Sequence, residues 1–503
     1  MPPAVPAAAQ ADLPLALRSA GDLAAMLRRR EISASALLRL YLDRLERLDP
    51  AVNAVVVRDV ERAQARAEQA DAALARGELW GPLHGLPMTV KESFDIPCLP
   101  TTWGIPDYKA NIATRPAVAV QRLLDAGAVI FGKTNVPVAL ADWQSFNPIY
   151  GTTNNPWHLG RTPGGSSGGS AAALAAGLTG LELGSDIGSS IRNPAHYCGV
   201  WGHKPSWGVL PMQGHELPGT EAIDTLDIAV AGPLARSAHD LTLAMDILTN
   251  PLASYGALGW QPAQWRDAGL APTRLRIAVV GDDECARCDA SVREPLQALA
   301  RLLREHGFTV SETARPVDSR EAFRTYIHLL RSATGAHMGD ADYAAAQAQA
   351  AARPAGSDDF VSWHWRGNTL SHRDWVHHDE VRSKLKRQWA NFFTEWDLLI
   401  CPVATTPAFA HMQIGQRWER LVNVDGQPQP STDSLFWAGY PGLCGLPATA
   451  VPLGLSTQAD SLGLPVGLQI VGPVLGDPVC LRMARWLEQH WRGFHAPPMA
   501  LAQ

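Results

Sequence analysis

The sequence predicts an α/β protein. Three observations carry this: helical periodicity at the start, helix-like and strand-like runs that alternate afterwards, and short apolar strand-like runs spread over the second half. From Leu15 to Leu48 apolar residues recur at helical spacing, broken at Glu31-Ile32-Ser33, where Ser33 can cap a second helix, ASALLRLYLDRLERL. Leu86 to Val90 is a β-type run ending at Lys91, and Val118 to Ala126 is a helical run feeding the strand-like Ala128 to Phe131. Ala171 to Gly177 reads as a buried helix of small residues, and Leu181 to Leu183 opens another strand. Further strands are expected at Arg276–Val280, Asp397–Cys401, Ala448–Val451 and Gly467–Val471, with a closing helix at Val479–Glu488. Residues 340 to 396, rich in Trp and His, read as a helical cap whose aromatics are candidates to line a pocket.

At 503 residues, with 46% hydrophobic and 18% charged positions, the chain can bury a large core as one big domain or as two or three ordinary ones. A net charge of −6, with lysine and arginine scattered, argues against a nucleic-acid partner. Seven cysteines, odd in number and mostly far apart, suit reduced thiols and a cytoplasmic location. Cys285 and Cys288 lack a second pair or nearby histidines at ligand spacing, and His372, His377 and His378 read better as capping or solvating a helix face, so no metal is expected. The start, MPPAVPAAAQADLP, lacks a basic region ahead of its alanines and reads as a loose arm over residues 1–13. The run from Ala171 to Leu183 is interrupted by glycines and too short to span a bilayer, so no membrane segment is expected.

Two short patterns point elsewhere. Gly127 to Thr134 matches the phosphate-loop pattern G-x-x-x-x-G-K-[ST], but a helix precedes it and Val129–Phe131 is itself strand-like, where that loop must follow a strand and open a helix. Gly164 to Gly168 matches G-x-S-x-G, which would make Ser166 a nucleophile, yet the preceding NNPWHLGRTP is not an apolar strand. It stands as the competing hydrolase reading.

The stretches RTPGGSSGGSAAA (161–173) and LGSDIGSSIRNPA (183–195) place two glycine-flanked serine pairs close together. A serine hydroxyl needs a base within reach and an oxyanion site. Small residues let backbone N–H groups of Ile187, Gly188, Ser189 and Ser190 converge on one spot. The base need not be histidine: Lys91, ending an apolar strand, would serve if burial lowered its pKa.

GPLHGLPMTVKES, GGSSGGSAAA and GSDIGSSIRNPA followed by CGVWGHKPSWG, with GPLARSAHDLTLAMDIL and GLPVGLQIVGP downstream, together resemble the amidase signature family from about residue 14 to 490. The resemblance implies a large mixed β-sheet flanked by helices over 14–495, with 320–393 as the helical cap insertion. It implies a Ser–cis-Ser–Lys triad with Lys91 as base, Ser166 as the cis-serine after Gly165, and Ser190 as nucleophile, 24 residues beyond Ser166. Asp186 and Arg192 match further motif positions and are expected to hold the loop. Three positions depart from the family pattern: Ser189 stands where glycine is usual, Glu92 where aspartate is commoner and Ser93 where asparagine is commoner. The expected activity is cofactor-independent hydrolysis of small-molecule amides, anilides, carbamates or esters by a monomer or homodimer. The alternative is the glutamine-hydrolysing subunit of a tRNA-dependent amidotransferase.

Overall fold

The computed structural model describes residues 13–220, 226–249 and 275–501. The opening periodicity resolves into helices Ala20–Arg28 and Ala34–Val52, and Ser33 Oγ accepts from the Ala36 N–H at 3.0 Å, as its position predicts. Apart from Leu13, the arm expected over 1–13 lies outside the described residues.

Eight strands form the main sheet. Across it lie Thr309–Ser311, Arg276–Val279, Leu398–Pro402, Pro465–Val471, Ala448–Leu455, Trp201–Lys204, Val230–Ala235 and Glu182–Asp186. The first three are parallel and the rest antiparallel, so the sheet is mixed. Val55–Arg58, Val129–Thr134 and Pro87–Lys91 form a second sheet. Its last strand packs beside Glu182–Asp186, where the Thr89 N–H donates to Thr179 Oγ1 at 2.9 Å and the Thr89 hydroxyl to Glu182. Most of these strands are buried at every residue, as happens when both faces of a sheet are covered.

The expected strands are all present, with ends shifted by up to four residues. Four other strands of these two sheets escaped the sequence reading, Val55–Arg58, Trp201–Lys204, Val230–Ala235 and Thr309–Ser311. Trp201–Lys204 contains Gly202, His203 and Lys204, and Val230–Ala235 contains Gly232 and Pro233, so neither carries a β-branched run or an alternating pattern. The phosphate-loop pattern folds as foreseen: Gly132 and Lys133 lie inside the strand Val129–Thr134, paired with Val57 and Arg58 on one side and with Thr89 and Val90 on the other. Its backbone donors face neighbouring strands rather than a common point.

Residues 319–395 form four helices, Ser319–Gly335, Asp340–Ala351, Phe360–Asn368 and His372–Glu395. The first packs on the helix Leu435–Gly442 and reaches the serine loops. Among the described residues, no helix is long and apolar enough to cross a membrane.

Candidate active site

Lys91 ends its strand wholly buried, and its Nζ donates to Ser166 Oγ at 2.6 Å and to Ser185 Oγ at 2.8 Å. Burial disfavours the ammonium and lowers its pKa to about 7, although Asp186 and Glu92 pull the other way. The structure thus brings a desolvated Lys91 beside Ser166. Ser185 was missed, because a serine inside a strand carries no signal until the neighbouring strand is placed.

Ser166 sits on a loop that leads into the helix Gly168–Ala176, and no strand runs directly into that loop, which removes the structural basis of the nucleophile-elbow pattern. The Gly165–Ser166 peptide is cis. Gly165 is required by space: a Cβ there would lie 2.3 Å from the Asp142 carbonyl oxygen. Its N–H donates to Asn193 Oδ1 at 3.3 Å, and the Ser167 N–H donates to the Ser190 carbonyl at 3.1 Å, so the two serine loops are tied together.

Ser190 lies between the strand Glu182–Asp186 and the short helix Arg192–Cys198, lining the same cavity as Ser166. Every carbonyl of this turn is engaged. Tyr326 OH donates to Ile187 O at 3.0 Å, Trp143 Nε1 to Gly188 O at 2.7 Å and the Asn193 N–H to Ser189 O at 2.6 Å. The donors divide unevenly. The Ser189 N–H is committed to Asp186 Oδ1 at 2.9 Å, which corrects the expectation that all four amides are free for a substrate oxyanion. Among the described residues, the N–H groups of Ile187, Gly188 and Ser190 keep no intramolecular acceptor.

Asp186 and Arg192 are fully buried and joined by two side-chain hydrogen bonds, Nη2 to Oδ1 at 2.8 Å and Nε to Oδ2 at 3.0 Å. Burial alone would raise the Asp186 pKa, but the Arg192 charge and its hydrogen bonds hold it below the usual carboxylate range. Arg192 Nη1 donates onward to Gln469 Oε1 at 2.8 Å, linking the loop to the main sheet. The pair thus ties the turn's amides to the main sheet.

Ser189 adopts φ of 69°, the left-handed region, and its buried Oγ has no hydrogen-bond partner. A side chain in that conformation costs roughly 1–2 kcal/mol, and a buried unpaired hydroxyl about 1–3 kcal/mol, against roughly 0.5–1 kcal/mol of extra chain entropy for glycine. Ser189→Gly is expected to stabilise the fold by about 1 kcal/mol, read as a higher denaturant midpoint at unchanged slope. A lower midpoint would show that the serine is not strained.

The other two departures reach the cavity wall. Glu92 accepts from the Thr102 N–H at 2.7 Å and the Trp103 N–H at 3.0 Å, fixing Trp103, and Ser93 Oγ bonds His215 Nε2 at 2.9 Å. Burial, with the nearby Lys91 charge, lowers the His215 pKa to about 3, so this wall residue is neutral. The cavity is about 710 Å³ and takes its aromatic lining from Trp103, Trp143, Phe360, Phe409 and Trp418. Of these only Phe360 comes from residues 340–396; Trp363 and Trp389 are buried instead against Phe323 and Tyr440. These two tryptophans are packing residues, because the helices that carry them bury their apolar faces on neighbouring helices.

Residues 36–481 match the protein family described as Amidase. The chain is 32% identical over 502 residues to a glutamyl-tRNA(Gln) amidotransferase subunit of Acidothermus cellulolyticus, covering 94% of each chain. It is 31% identical over 470 residues to an acylamidase of Rhodococcus erythropolis, covering 93% of this chain and 94% of that one. Among solved structures, 6-aminohexanoate cyclic dimer hydrolase complexed with substrate aligns with a TM-score of 0.79 at 25% identity, covering 97% of this chain and all of that one.

Proposed function

We propose that this chain, which belongs to the amidase signature family, is a serine hydrolase cleaving the C–N acyl bond of bulky or aromatic amides and of carbamates, without a cofactor. The observation that carries the reading is the 2.6 Å contact between Ser166 and a lysine poised near neutrality, in the cavity that Ser190 also lines. Neutral Lys91 takes the Ser166 proton while Ser166 takes that of Ser190, and Ser190 Oγ bonds to the substrate carbonyl carbon. The N–H groups of Ile187, Gly188 and Ser190 receive the negative charge that develops on the carbonyl oxygen. The C–N bond then breaks, the proton returns through Ser166 to the leaving nitrogen, and water releases the acid from Ser190 by the same relay. A carbamate presents the same carbonyl with nitrogen on one side and oxygen on the other, so the relay serves it equally.

The likeness to an amidotransferase component supports a second reading, glutamine hydrolysis within a complex. The size and aromatic lining of the cavity favour the first, since glutamine would leave most of about 710 Å³ unfilled. The test is hydrolysis of an aryl amide, an aryl carbamate and glutamine by the isolated chain. Cleavage of both aryl substrates well ahead of glutamine is expected; glutamine as the sole substrate, or activity only with an added partner chain, would transfer the assignment to the second reading.

A further inference from the structure

Beyond the aromatic lining, one wall of the cavity is cationic. Arg331, Arg417 and Arg420 all line it. Arg420 is neutralised by Asp142 at 2.6 Å, and Arg417 donates to the Ala141 carbonyl. Arg331 differs. It is only 8% exposed, its Nε has no hydrogen-bond partner, and among the described residues no carboxylate forms an ion pair with it. Three of the cavity's own acids are engaged elsewhere, Asp142 with Arg420, Asp186 with Arg192 and Asp227 with Arg382, while the fourth, Glu216, pairs with no arginine among the described residues and is pushed toward its neutral form by burial. Burial, then the Arg417 charge, lower the Arg331 pKa to about 9, which leaves it cationic at neutral pH. His364, whose Nδ1 is also without a partner, is held neutral by burial and by the same two arginines.

A buried guanidinium with an unused donor is costly unless something supplies the missing acceptor, and its planar fork matches a carboxylate. We propose that Arg331, assisted by Arg417, binds a carboxylate carried by the substrate, so that the enzyme selects amides bearing a free acid. This rests on the hydrolase reading above. Position agrees with it: Tyr326, whose hydroxyl holds the Ile187 carbonyl, lies on the same helix five residues earlier, about 7.5 Å along the axis. An acid several bonds from the scissile carbonyl spans that distance.

The test uses two matched pairs: adipoyl para-nitroanilide against hexanoyl para-nitroanilide, and para-(hexanoylamino)benzoate against hexananilide. The wild type is expected to favour the acid in at least one pair by about tenfold in kcat/KM, the usual weight of a charged hydrogen bond. Arg331→Gln should cut that acid-to-neutral ratio about tenfold and Arg331→Lys should restore part of it; if Arg331→Gln does not fold, Arg417→Gln is read the same way. In parallel, Ser190→Ala protein is heated with each ligand. Stabilisation by the acid and not its neutral mate, lost when Arg331→Gln is added, supports the anion site without any turnover. Equal or better use of the neutral members, or a ratio indifferent to Arg331, overturns it. Absence of hydrolysis with a retained acid-specific thermal shift would instead overturn the hydrolase reading and leave the anion site standing.

Discussion

Ser190→Ala is expected to lower kcat on the best substrate by roughly 10⁴-fold or more, because it removes the atom that bonds to the carbonyl and leaves only binding and oxyanion stabilisation. Lys91→Met should fall comparably, since the relay then has no proton acceptor and the replacement fills a similar volume at a wholly buried position. Ser166→Ala is expected to cost about 10²–10⁴-fold, the range for a displaced proton-transfer group. The lysine also sets a pH profile. With its pKa lowered to about 7, Lys91 is protonated below that value and lacks the lone pair the reaction needs. The kcat/KM of the wild type should therefore fall by about tenfold per pH unit on the acid side of 7 and level off above it. A profile flat from pH 5 to 9, or a Lys91→Met enzyme that keeps its activity, would remove the lysine from the chemistry. Activity that survives Ser190→Ala but not Ser166→Ala would make Ser166 the nucleophile.

The proposed triad was legible because Lys91, Ser166 and Ser190 stand inside short runs whose residues lie next to one another in sequence and in space. The groups that hold it were not. Tyr326 is 139 residues from Ile187, and its helix reads only as amphipathic until the fold lays it across the serine loops. Trp143 and Asn193 act through single side-chain contacts that leave no periodic trace. The glycines were legible for the right general reason, close approach, but the partner that each approaches, Asp142 O for Gly165, depends on tertiary packing. The oxyanion donors were overcounted because sequence cannot reveal that Asp186, besides pairing with Arg192, claims the Ser189 N–H. The cap illustrates the opposite error: aromatic composition suggested a pocket, and packing consumed most of it.

The same Asp186 gives the largest expected effect on stability. Arg192→Met preserves volume but strands a fully buried carboxylate, and breaking such a pair typically costs about 3–5 kcal/mol. In the wild type the folded pKa of Asp186 lies below its ordinary value, so it contributes stability at neutral pH that is lost as pH falls below about 3.8. Without Arg192 the sign reverses: burial raises the folded pKa, the ionised form destabilises, and protonation relieves it. The difference between Arg192→Met and wild type should thus be largest near pH 7 and shrink as the solution is acidified, measured as the gap between urea midpoints. Asp186→Asn with Arg192→Met should recover much of the lost stability, since no buried charge remains. Turnover should not recover with it, because asparagine cannot accept from the Ser189 and Ile191 N–H groups with both side-chain atoms as Asp186 does, and the turn that presents Ser190 loses a fastening. If the double variant regained full kcat, the ion pair would be an element of stability alone; if Arg192→Met were as stable as wild type at neutral pH, Asp186 would not be ionised in the folded protein.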